Sequence, residues 1–298
     1  MATEPFLTFI VNPCAGGGRA RRRLDDLLRT SSLPPQAEVA VSRHAGHAVE
    51  LAVEAASRGR SLVACGGDGT LHEILNAVAG TGTALGVLPL GSANDFLKSF
   101  SPESGALPGS RRTRVDIGRV AFGGGKERHF INSLGLGFTG RIAGAVGRSR
   151  LLSGELRYVS ALLRVLIGYA PVKMHIEITL PDRRVVLDEP VFAFSVGNGS
   201  VEGGKFRIAP GADLRDGLLD VCILRAIHPI ALPGLILRYL RGTQARHPRV
   251  LVCRARRIEL RLTGPEVLHM DGEVYRGVGG ELSIEAVPGG LEMLLPEA

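Results

Sequence analysis

The feature that most constrains the fold of this chain is an apolar run that stops at two glycines and is followed at once by a helical pattern. The run covers residues 61–65, the helical pattern covers 71–79, and the loop between them consists of Gly66, Gly67, Asp68, Gly69 and Thr70. This order predicts a strand, a tight loop and the start of a helix. Backbone N–H groups converge at such a helix start and can bind a phosphate, and glycine has no Cβ that would keep the anion away.

The acid inside this loop helps to decide between two interpretations of the loop, a binding site and a tight turn with no binding role. A glycine-rich turn between a strand and a helix is often no more than a tight link, and for the glycines alone that interpretation stays open. An unpaired carboxylate at a closely packed strand end is costly, so Asp68 favours a nearby cation. The hydroxyl of Thr70 adds a hydrogen-bond donor. The loop is therefore predicted to bind nucleotide phosphate together with Mg²⁺.

The first hundred residues repeat the same rhythm of strand and helix. Strands are predicted at 6–11, 37–42, 61–65 and 84–88, and helices at 19–29, 46–58 and 71–79. This alternation is typical of a parallel α/β sheet, which binds its ligands at the carboxyl ends of the strands.

The pattern changes after a loop at residues 101–113. Residues 173–180 and 256–262 alternate between apolar and polar side chains, which predicts antiparallel strands with one face in water. The other elements predicted in this half are strands near 114–120, 128–133, 191–197, 218–224 and 282–286, and helices near 154–168 and 228–240. The second half is therefore predicted to be mainly antiparallel β, arranged as a sandwich.

The charge of the chain favours an anionic partner, because 36 Lys and Arg residues stand against 29 Asp and Glu residues and the pI is near 9.7. Nucleic acid is disfavoured, since 5% of residues are aromatic, Trp is absent and no nucleic-acid motif occurs. An anionic membrane surface fits better, and the apolar helix at 228–240, with Arg238 and Arg241, could contact it. Two plainer interpretations stay open: arginines that only solvate the surface, and a helix buried in the core.

Several features expected of other protein classes are missing from the sequence. No apolar run reaches the length of a transmembrane helix, and the first predicted strand begins too close to Met1 for a signal peptide. The cysteines lack the spacing of zinc sites and redox motifs, and they stand at Cys14, Cys65, Cys222 and Cys253. A cytoplasmic protein with reduced thiols is expected.

Three further motifs accompany the glycine-rich loop. They are Asn12-Pro13-Cys14-Ala15-Gly16 after the first strand, Pro89-Leu90-Gly91-Ser92-Ala93-Asn94-Asp95 after the fourth, and His269-Met270-Asp271-Gly272-Glu273 near the C-terminus. The set resembles the diacylglycerol-kinase catalytic-domain family, which includes bacterial lipid kinases and the sphingosine and ceramide kinases. The resemblance spans almost the whole chain, with the motifs in the family's order.

This resemblance implies an N-terminal parallel α/β nucleotide-binding domain, similar to that of NAD kinases and phosphofructokinases, and a C-terminal antiparallel β-sandwich domain. The expected boundaries are 1–120 for the ATP-binding domain, 121–285 for the lipid-substrate domain, and 286–298 for a segment that returns to the first domain. The resemblance implies an ATP- and Mg²⁺-dependent kinase that phosphorylates a hydroxyl of a membrane lipid and associates with the membrane peripherally. It is compatible with a homodimer.

The resemblance also implies roles for particular residues. The expected nucleotide contacts are Asn12, Ser42, Gly66, Gly67, Asp68, Gly69, Thr70, Leu71, His72, Ser92 and Asn94. The expected Mg²⁺ acids are Asp68, Asp95 and Asp116, and a second, structural Mg²⁺ loop would use the side chain of Asp216 and the carbonyls of Asp213 and Leu218. Glu273 would be the general base and Asp68 the second catalytic residue. Two positions depart from the family pattern, Ser92 in place of Thr and His72 in place of Asn.

Two other functions are compatible with part of this sequence pattern. An NAD or sugar-phosphate kinase would share the glycine-rich loop, but the Asn-Pro start and the late Asp-Gly-Glu argue against it. A catalytically silent lipid- or nucleotide-binding regulator has no chemical need for Asp68, Asp95 and Glu273 together. Without the resemblance, Glu273 would be interpreted as an ordinary turn residue, because Asp-Gly followed by Glu is common in surface turns.

Overall fold

The first half of the chain is a parallel α/β sheet. The structure, a computed structural model, describes residues 6–18, 20–30, 36–99, 111–148 and 154–296. The regular elements of the first half are β1 (Leu7–Val11), α1 (Ala20–Thr30), β2 (Glu38–Val41), α2 (His47–Ser57), β3 (Ser61–Gly66), α3 (Asp68–Val78) and β4 (Leu85–Pro89). The strands pair in parallel in the order β2-β1-β3-β4.

Both faces of this sheet are covered, which explains why its central strands are continuous apolar runs. Every residue of β3 is buried. Along β1 the side chains alternate between two cores: Ile10 packs into one, and Phe9 and Val11 pack into the other. The strand ends that carry the predicted phosphate motifs therefore emerge together at one edge of the sheet.

The second half is mainly antiparallel, as predicted. Its elements are β5 (Arg111–Phe122), β6 (Lys126–Phe130), β7 (Ser133–Gly137), α4 (Phe138–Arg148), α5 (Gly154–Leu166), β8 (Val172–Thr179), β9 (Arg184–Gly197), β10 (Leu219–Arg225), α6 (Leu232–Arg241), β11 (Val250–Ala255), β12 (Arg257–Met270) and β13 (Glu273–Leu295). The inner faces of these strands form one large apolar core. The helices α4, α5 and α6 contribute to a separate apolar cluster with side chains of β9 and β10.

The long strand β13 joins the two halves. It pairs antiparallel with β12 and β5, and near its end it runs parallel to β4, where Met293 lies opposite Leu85. The end of the described chain therefore adds a strand to the first sheet. The predicted domain boundary at residue 120 lies inside β5, and the one at residue 285 lies inside β13. The strands show no break at these positions, and the predicted division stays a prediction.

Three elements were not predicted from the sequence: α4, β7 and β11. The eleven residues of α4 include Gly140, Gly144 and Gly147, and each glycine weakens a helix by roughly 1 kcal/mol relative to Ala. Close packing explains the glycine at position 140, since a Cβ there would lie 2.0 Å from the carbonyl oxygen of Val267 on β12. In the part of the chain that the structure describes, none of the helices is long and apolar enough to span a bilayer.

Candidate active site

The loop between β3 and α3 presents N–H donors at a helix start. Gly67 takes the N-cap position in an extended conformation, and no side chain caps the helix there. The N–H of Leu71 donates to the carbonyl oxygen of Gly67 at 3.1 Å. The N–H groups of the preceding first turn, from Asp68 to Thr70, have no acceptor within an α-helix. Together with the positive end of the helix dipole, they favour an anion at this position.

Three loops meet at this point through close backbone contacts that require glycine. The N–H groups of Leu90 and Gly91 both donate to the carbonyl oxygen of Gly66 at 2.9 Å. A Cβ on Gly91 would lie 2.3 Å from the Cα of Gly67, and a Cβ on Gly16 would lie 2.5 Å from the carbonyl oxygen of Leu90. The segments after β1, β3 and β4 therefore form one contiguous backbone surface, which suits a polyphosphate.

Two amide side chains fix the shape of these loops. The Nδ2 of Asn12 donates to the hydroxyl of Thr70 at 3.1 Å, and its Oδ1 accepts from the N–H of Cys14 at 3.0 Å. Asn94 adopts a φ of 48° and donates from Nδ2 to the carbonyl oxygen of Gly91 at 3.2 Å. The structure thus places Asn12, Thr70 and Asn94 in one connected set of loops.

The two predicted serines lie at the ends of the neighbouring strands. Ser42 directly follows β2, and its N–H donates to the carbonyl oxygen of Val11 at 2.8 Å. Ser92 is exposed in the loop after β4. Each of the four parallel strands is therefore followed within three residues by a residue predicted to contact nucleotide, and the nucleotide role itself stays a prediction.

Asp68 is the acid at the centre of this site. Burial raises the pKa of its carboxyl group to about 6, and the neighbouring carboxylates of Asp95 and Asp271 act in the same direction. The backbone N–H groups of Phe96 and Asp95 oppose the rise by donating to Asp68. A buried acid beside two other acids is the environment in which a bound cation is most favourable.

The donor set fits Mg²⁺ only in part. Within the described residues, no three His, Cys, Asp or Glu side chains are grouped closely enough to hold a metal ion. Mg²⁺ in phosphate-transferring sites uses one or two carboxylates and takes its remaining ligands from waters and phosphate oxygens. Asp68 can supply such a carboxylate, and the phosphates would have to supply much of the rest.

Asp95 connects the two halves of the protein. Its Oδ1 lies 2.7 Å from the Nζ of Lys98, and both carboxylate oxygens accept from the N–H of Gly204 at 3.0 Å. Lys98 also donates to the carbonyl oxygen of Gly204 at 2.8 Å. Gly204 belongs to a second glycine-rich loop, residues 198–204 after β9, so this ion pair holds that loop against the loop after β4.

Asp271 is a functional residue whose role the sequence did not reveal. It lies in the turn between β12 and β13 with a φ of 51° and is 5% exposed. Its Oδ1 accepts from the N–H groups of Asn132 and Ser133, and its Oδ2 accepts from the N–H of Ile131. Oδ2 also lies 2.9 Å from the Nδ1 of His72 on α3. Asp271 thus organises the turn that carries Glu273.

Leu71 and His72 both have buried side chains. The side chain of Leu71 is buried in an apolar core, and its N–H is bonded to Gly67. His72 is buried, with Nδ1 facing Asp271 and Nε2 lying 2.9 Å from the hydroxyl of Tyr275. Both side chains are therefore engaged inside the protein, and a nucleotide contact by either residue stays a prediction. His72 connects α3 to the β12–β13 turn.

Glu273 reaches the glycine-rich loop from the second half of the molecule. A Cβ on Gly69 would lie 2.5 Å from the Oε1 of Glu273, so the carboxylate occupies the space beside this glycine. Glu273 is itself exposed. Two motifs at opposite ends of the sequence therefore meet, with an accessible carboxylate beside the N-terminus of α3.

A partly buried acid pairs with the histidine of the same motif. The Nε2 of His269 lies 3.1 Å from the Oε1 of Glu202 in the glycine-rich loop after β9. Burial lowers the pKa of His269, but the carboxylates of Glu202 and Asp271 raise it by more, so that it lies above its usual value. The pair links the loop containing Glu202 to β12.

The remaining predicted metal residues form a separate polar set. The carboxylate oxygens of Asp116 accept from the N–H groups of Gly217 and Gly289, each at 2.7 Å. Asp116 therefore lies against the loop around residues 213–218. In that loop Asp216 accepts from the N–H of Leu218 at 3.0 Å and lies 3.4 Å from Arg254. Asp213 accepts from the N–H of Arg215 at 3.0 Å. These contacts satisfy the carboxylates without a metal, and a metal role for this set stays a prediction.

Comparison with known proteins matches the two halves to two family models. Residues 6–120 match the diacylglycerol kinase catalytic domain, and residues 132–295 match the YegS C-terminal NAD kinase beta sandwich-like domain. A diacylglycerol kinase of Mycobacterium tuberculosis (strain ATCC 25618 / H37Rv) is 28% identical over 300 residues, which cover 97% of this chain and 95% of that protein. A probable lipid kinase YegS-like of Pseudomonas syringae pv. syringae (strain B728a) is 33% identical over 269 residues, covering 87% and 84%.

Solved structures share the same fold. The crystal structure of a diacylglycerol kinase from Bacillus anthracis str. Sterne superimposes with a TM-score of 0.67 at 19% identity and covers 99% of this chain and 98% of that one. Yeast NADH kinase complexed with NADH gives a TM-score of 0.51 at 11% identity, with coverage of 99% and 85%. At these identities the likeness concerns the fold alone, and it confirms the predicted combination of an α/β sheet with a β-sandwich.

Proposed function

Because this chain belongs to the diacylglycerol kinase catalytic-domain family, with a YegS-type β-sandwich following the catalytic domain, it is a kinase, and we propose that it transfers the γ-phosphoryl group of ATP to a hydroxyl of a membrane lipid. The observation that carries this proposal is the position of Glu273 beside Gly69. A carboxylate that can take a proton then stands next to a loop suited to phosphate, which is the pairing that phosphoryl transfer to an alcohol requires.

The residues on the first sheet would bind the nucleotide. The N–H groups at the start of α3 would donate to phosphate oxygens, and Asn12 and Thr70 would keep the loop in shape through their hydrogen bond. The backbone contacts among Gly66, Gly67 and Gly91 leave room for the phosphates to approach. These groups bind and orient, which is most of what phosphoryl transfer asks of a protein.

Glu273 and Asp68 would divide the remaining work. Glu273 would accept the proton of the lipid hydroxyl at its accessible carboxylate, while Asp271 holds its turn in place through backbone N–H groups. Asp68 would hold Mg²⁺, which neutralises charge on the phosphoryl group when bound. The carboxylate of Asp68 accepts from the backbone N–H groups of Phe96 and Asp95, which would hold it in place for the ion.

A lipid acceptor also implies contact with a membrane surface. The net charge of +7 supports attraction to anionic lipids, at roughly 1 kcal/mol for each basic residue near the surface. We propose peripheral association through this charge.

The proposal is tested by incubating the purified protein with γ-labelled ATP and vesicles that contain diacylglycerol. Parallel samples contain NAD⁺ or a mixture of sugars in place of the lipid, and a further sample contains excess EDTA. We expect label in a lipid product, and we expect EDTA to abolish it. Label on NAD⁺ or on a sugar, with none on lipid, would contradict the proposal. Nucleotide binding with no labelled product under any condition would instead support a silent regulator.

A further inference from the structure

The cavity that supports a further inference lies between α4, α5 and the β12–β13 hairpin. It has a volume of about 400 Å³, and its lining includes three arginines, Arg141, Arg164 and Arg276. The other lining residues are apolar: Ala145, Val165, Ile167 and Val267. Basic and apolar groups therefore share one concave surface.

The arginines of this cavity carry more positive charge than the protein neutralises. Arg141 is held by Glu266, with Nη2 and Oε1 2.9 Å apart, and its guanidinium lies 5.3 Å from the ring centroid of Tyr169. Within the described chain, neither Arg164 nor Arg276 forms an ion pair with a carboxylate. Three guanidinium groups thus face one carboxylate, and guanidinium geometry matches the oxygens of a phosphate.

An exposed apolar stripe borders the cavity along α5. Val159 and Leu163 lie one turn apart on α5, and Ile167 follows in the turn after the helix, where its N–H donates to the carbonyl oxygen of Leu163 at 3.3 Å. Their exposed fractions are 51%, 56% and 83%. Ile167 also lines the cavity, and Arg164 directly follows Leu163. Apolar side chains on one face with arginines beside them are typical of a helix that lies at a membrane interface.

We propose that this cavity and the α5 stripe form a docking site for an anionic phospholipid of the bilayer. The phosphodiester would contact Arg164 and Arg276. Arg141, whose guanidinium is fixed by Glu266, would lie beside it. The side chains of Val159, Leu163 and Ile167 would enter the boundary between headgroups and acyl chains. The exposed stripe favours a bilayer lipid over a free phosphate, because a soluble anion gives these side chains nothing to bury against.

The site would set the distance between the membrane and the catalytic base. On the β12–β13 hairpin, Val267 pairs with Arg276 and Met270 pairs with Glu273. These pairs are three residues apart along each strand, or about 10 Å. A headgroup held at Arg276 would therefore place the bilayer surface beside the hairpin whose turn carries Glu273. This consequence rests on the proposed lipid kinase activity, whereas docking itself does not require phosphoryl transfer.

Docking can be tested by fluorescence because the protein has no Trp. Leu163→Trp introduces a single reporter on the stripe, and Val53→Trp, at an exposed position on α2, is the matched control. With vesicles of phosphatidylglycerol and phosphatidylcholine, we expect the emission of the Leu163→Trp variant to shift to the blue and to be quenched by brominated acyl chains. We expect neither effect for the Val53→Trp variant, and neither for either variant with pure phosphatidylcholine. Unshifted emission from the Leu163→Trp variant on bound anionic vesicles would overturn the proposal.

The contribution of the arginines is measured by vesicle co-sedimentation without ATP, so the result is independent of catalysis. Arg164→Gln combined with Arg276→Gln should weaken binding about 25-fold, or about fivefold for each arginine. Arg183→Gln combined with Arg261→Gln removes the same charge from exposed positions elsewhere and should weaken binding less than threefold. Circular dichroism confirms that each variant is folded. Equal loss in both double variants would overturn the site, and so would full displacement from vesicles by millimolar glycerol phosphate.

Discussion

At the scale of single residues, Glu273 can be tested without disturbing its turn. Glu273→Gln keeps the size of the side chain but cannot take a proton, so we expect kcat to fall by about 10²–10⁴-fold. The KM for ATP should change little, because the predicted nucleotide contacts lie on other loops. Glu281→Gln, on the same strand in an exposed pair with Arg261, is the matched control. Steady-state kinetics of the two variants make the comparison, and similar losses in both would contradict the role of Glu273.

Gly69 offers a second test of the same contact, from the other side. The Cβ of Gly69→Ala would lie 2.5 Å from the Oε1 of Glu273, which is the flexible end of a side chain. The carboxylate should therefore move, and we expect kcat to fall at least tenfold while the free energy of unfolding changes by less than about 1 kcal/mol.

The control for this prediction is Gly91→Ala. There the added Cβ would lie 2.3 Å from the Cα of Gly67, which is backbone and cannot move aside cheaply. We expect Gly91→Ala to destabilise the protein measurably in urea unfolding, unlike Gly69→Ala. If Gly69→Ala kept full activity, the carboxylate of Glu273 would not need its present position.

Residues of the site were predictable from the sequence when their role depended on a local pattern. Asn12 and Thr70 stood at strand ends within recognisable motifs, and the structure joins them by a hydrogen bond. The role of Asp271 was not predictable, because its partners at residues 131–133 belong to a distant segment with no motif of its own. The contacts of the His72 ring with Asp271 and Tyr275 were not predictable for the same reason, because both partners lie about 200 residues further along the chain.

At the scale of elements, the hairpin of β12 and β13 depends on Asp271. Asp271→Asn replaces one carboxylate oxygen by an NH₂ group, which then faces a backbone N–H or the ring of His72. We expect the free energy of unfolding to fall by about 2–4 kcal/mol, since bonds to a buried charged acceptor are lost and a donor is left unpaired. Urea denaturation measures this change. Asp182→Asn, at an exposed position, is the control, and an equal change in both variants would contradict the structural role of Asp271.

The same scale shows why most strands and helices were predictable and a few were not. Central strands such as β3 and half-buried strands such as β8 have distinct apolar patterns, and both were predicted. The glycines of α4 hide its helical pattern, yet Gly140 is needed because α4 packs directly on β12. The prediction for the helix at 228–240 left open a buried core helix and a membrane contact; part of α6 is buried as the first requires, and the membrane contact stays a prediction. Leu232 and Leu235 are buried in the core, whereas Leu237 and Leu240 are exposed.

At the scale of the whole molecule, the last strand makes the first half depend on the second. Leu291 and Met293 pack into one core of the parallel sheet, and Leu294 packs into the core on the opposite face. Sequence patterns could indicate that residues near the end form a strand, but not that this strand would lie beside β4. Pairing partners far apart in sequence leave no mark in a local pattern, whereas apolar periodicity does.

A chain that ends after Gly290 therefore provides the test at this scale. It loses three buried side chains worth roughly 1.5–3 kcal/mol each. Their sum is comparable with the total stability of about 5–15 kcal/mol that is typical of a domain. We expect the first half of the shortened protein to be digested by protease within minutes and to lose ATP binding, while the second half keeps its β signal in circular dichroism. A chain that ends after Pro296 keeps β13 entire and is the control. If the shortened protein still bound ATP and resisted protease as the control does, the parallel sheet would be stable without its final strand, and the two halves would fold independently.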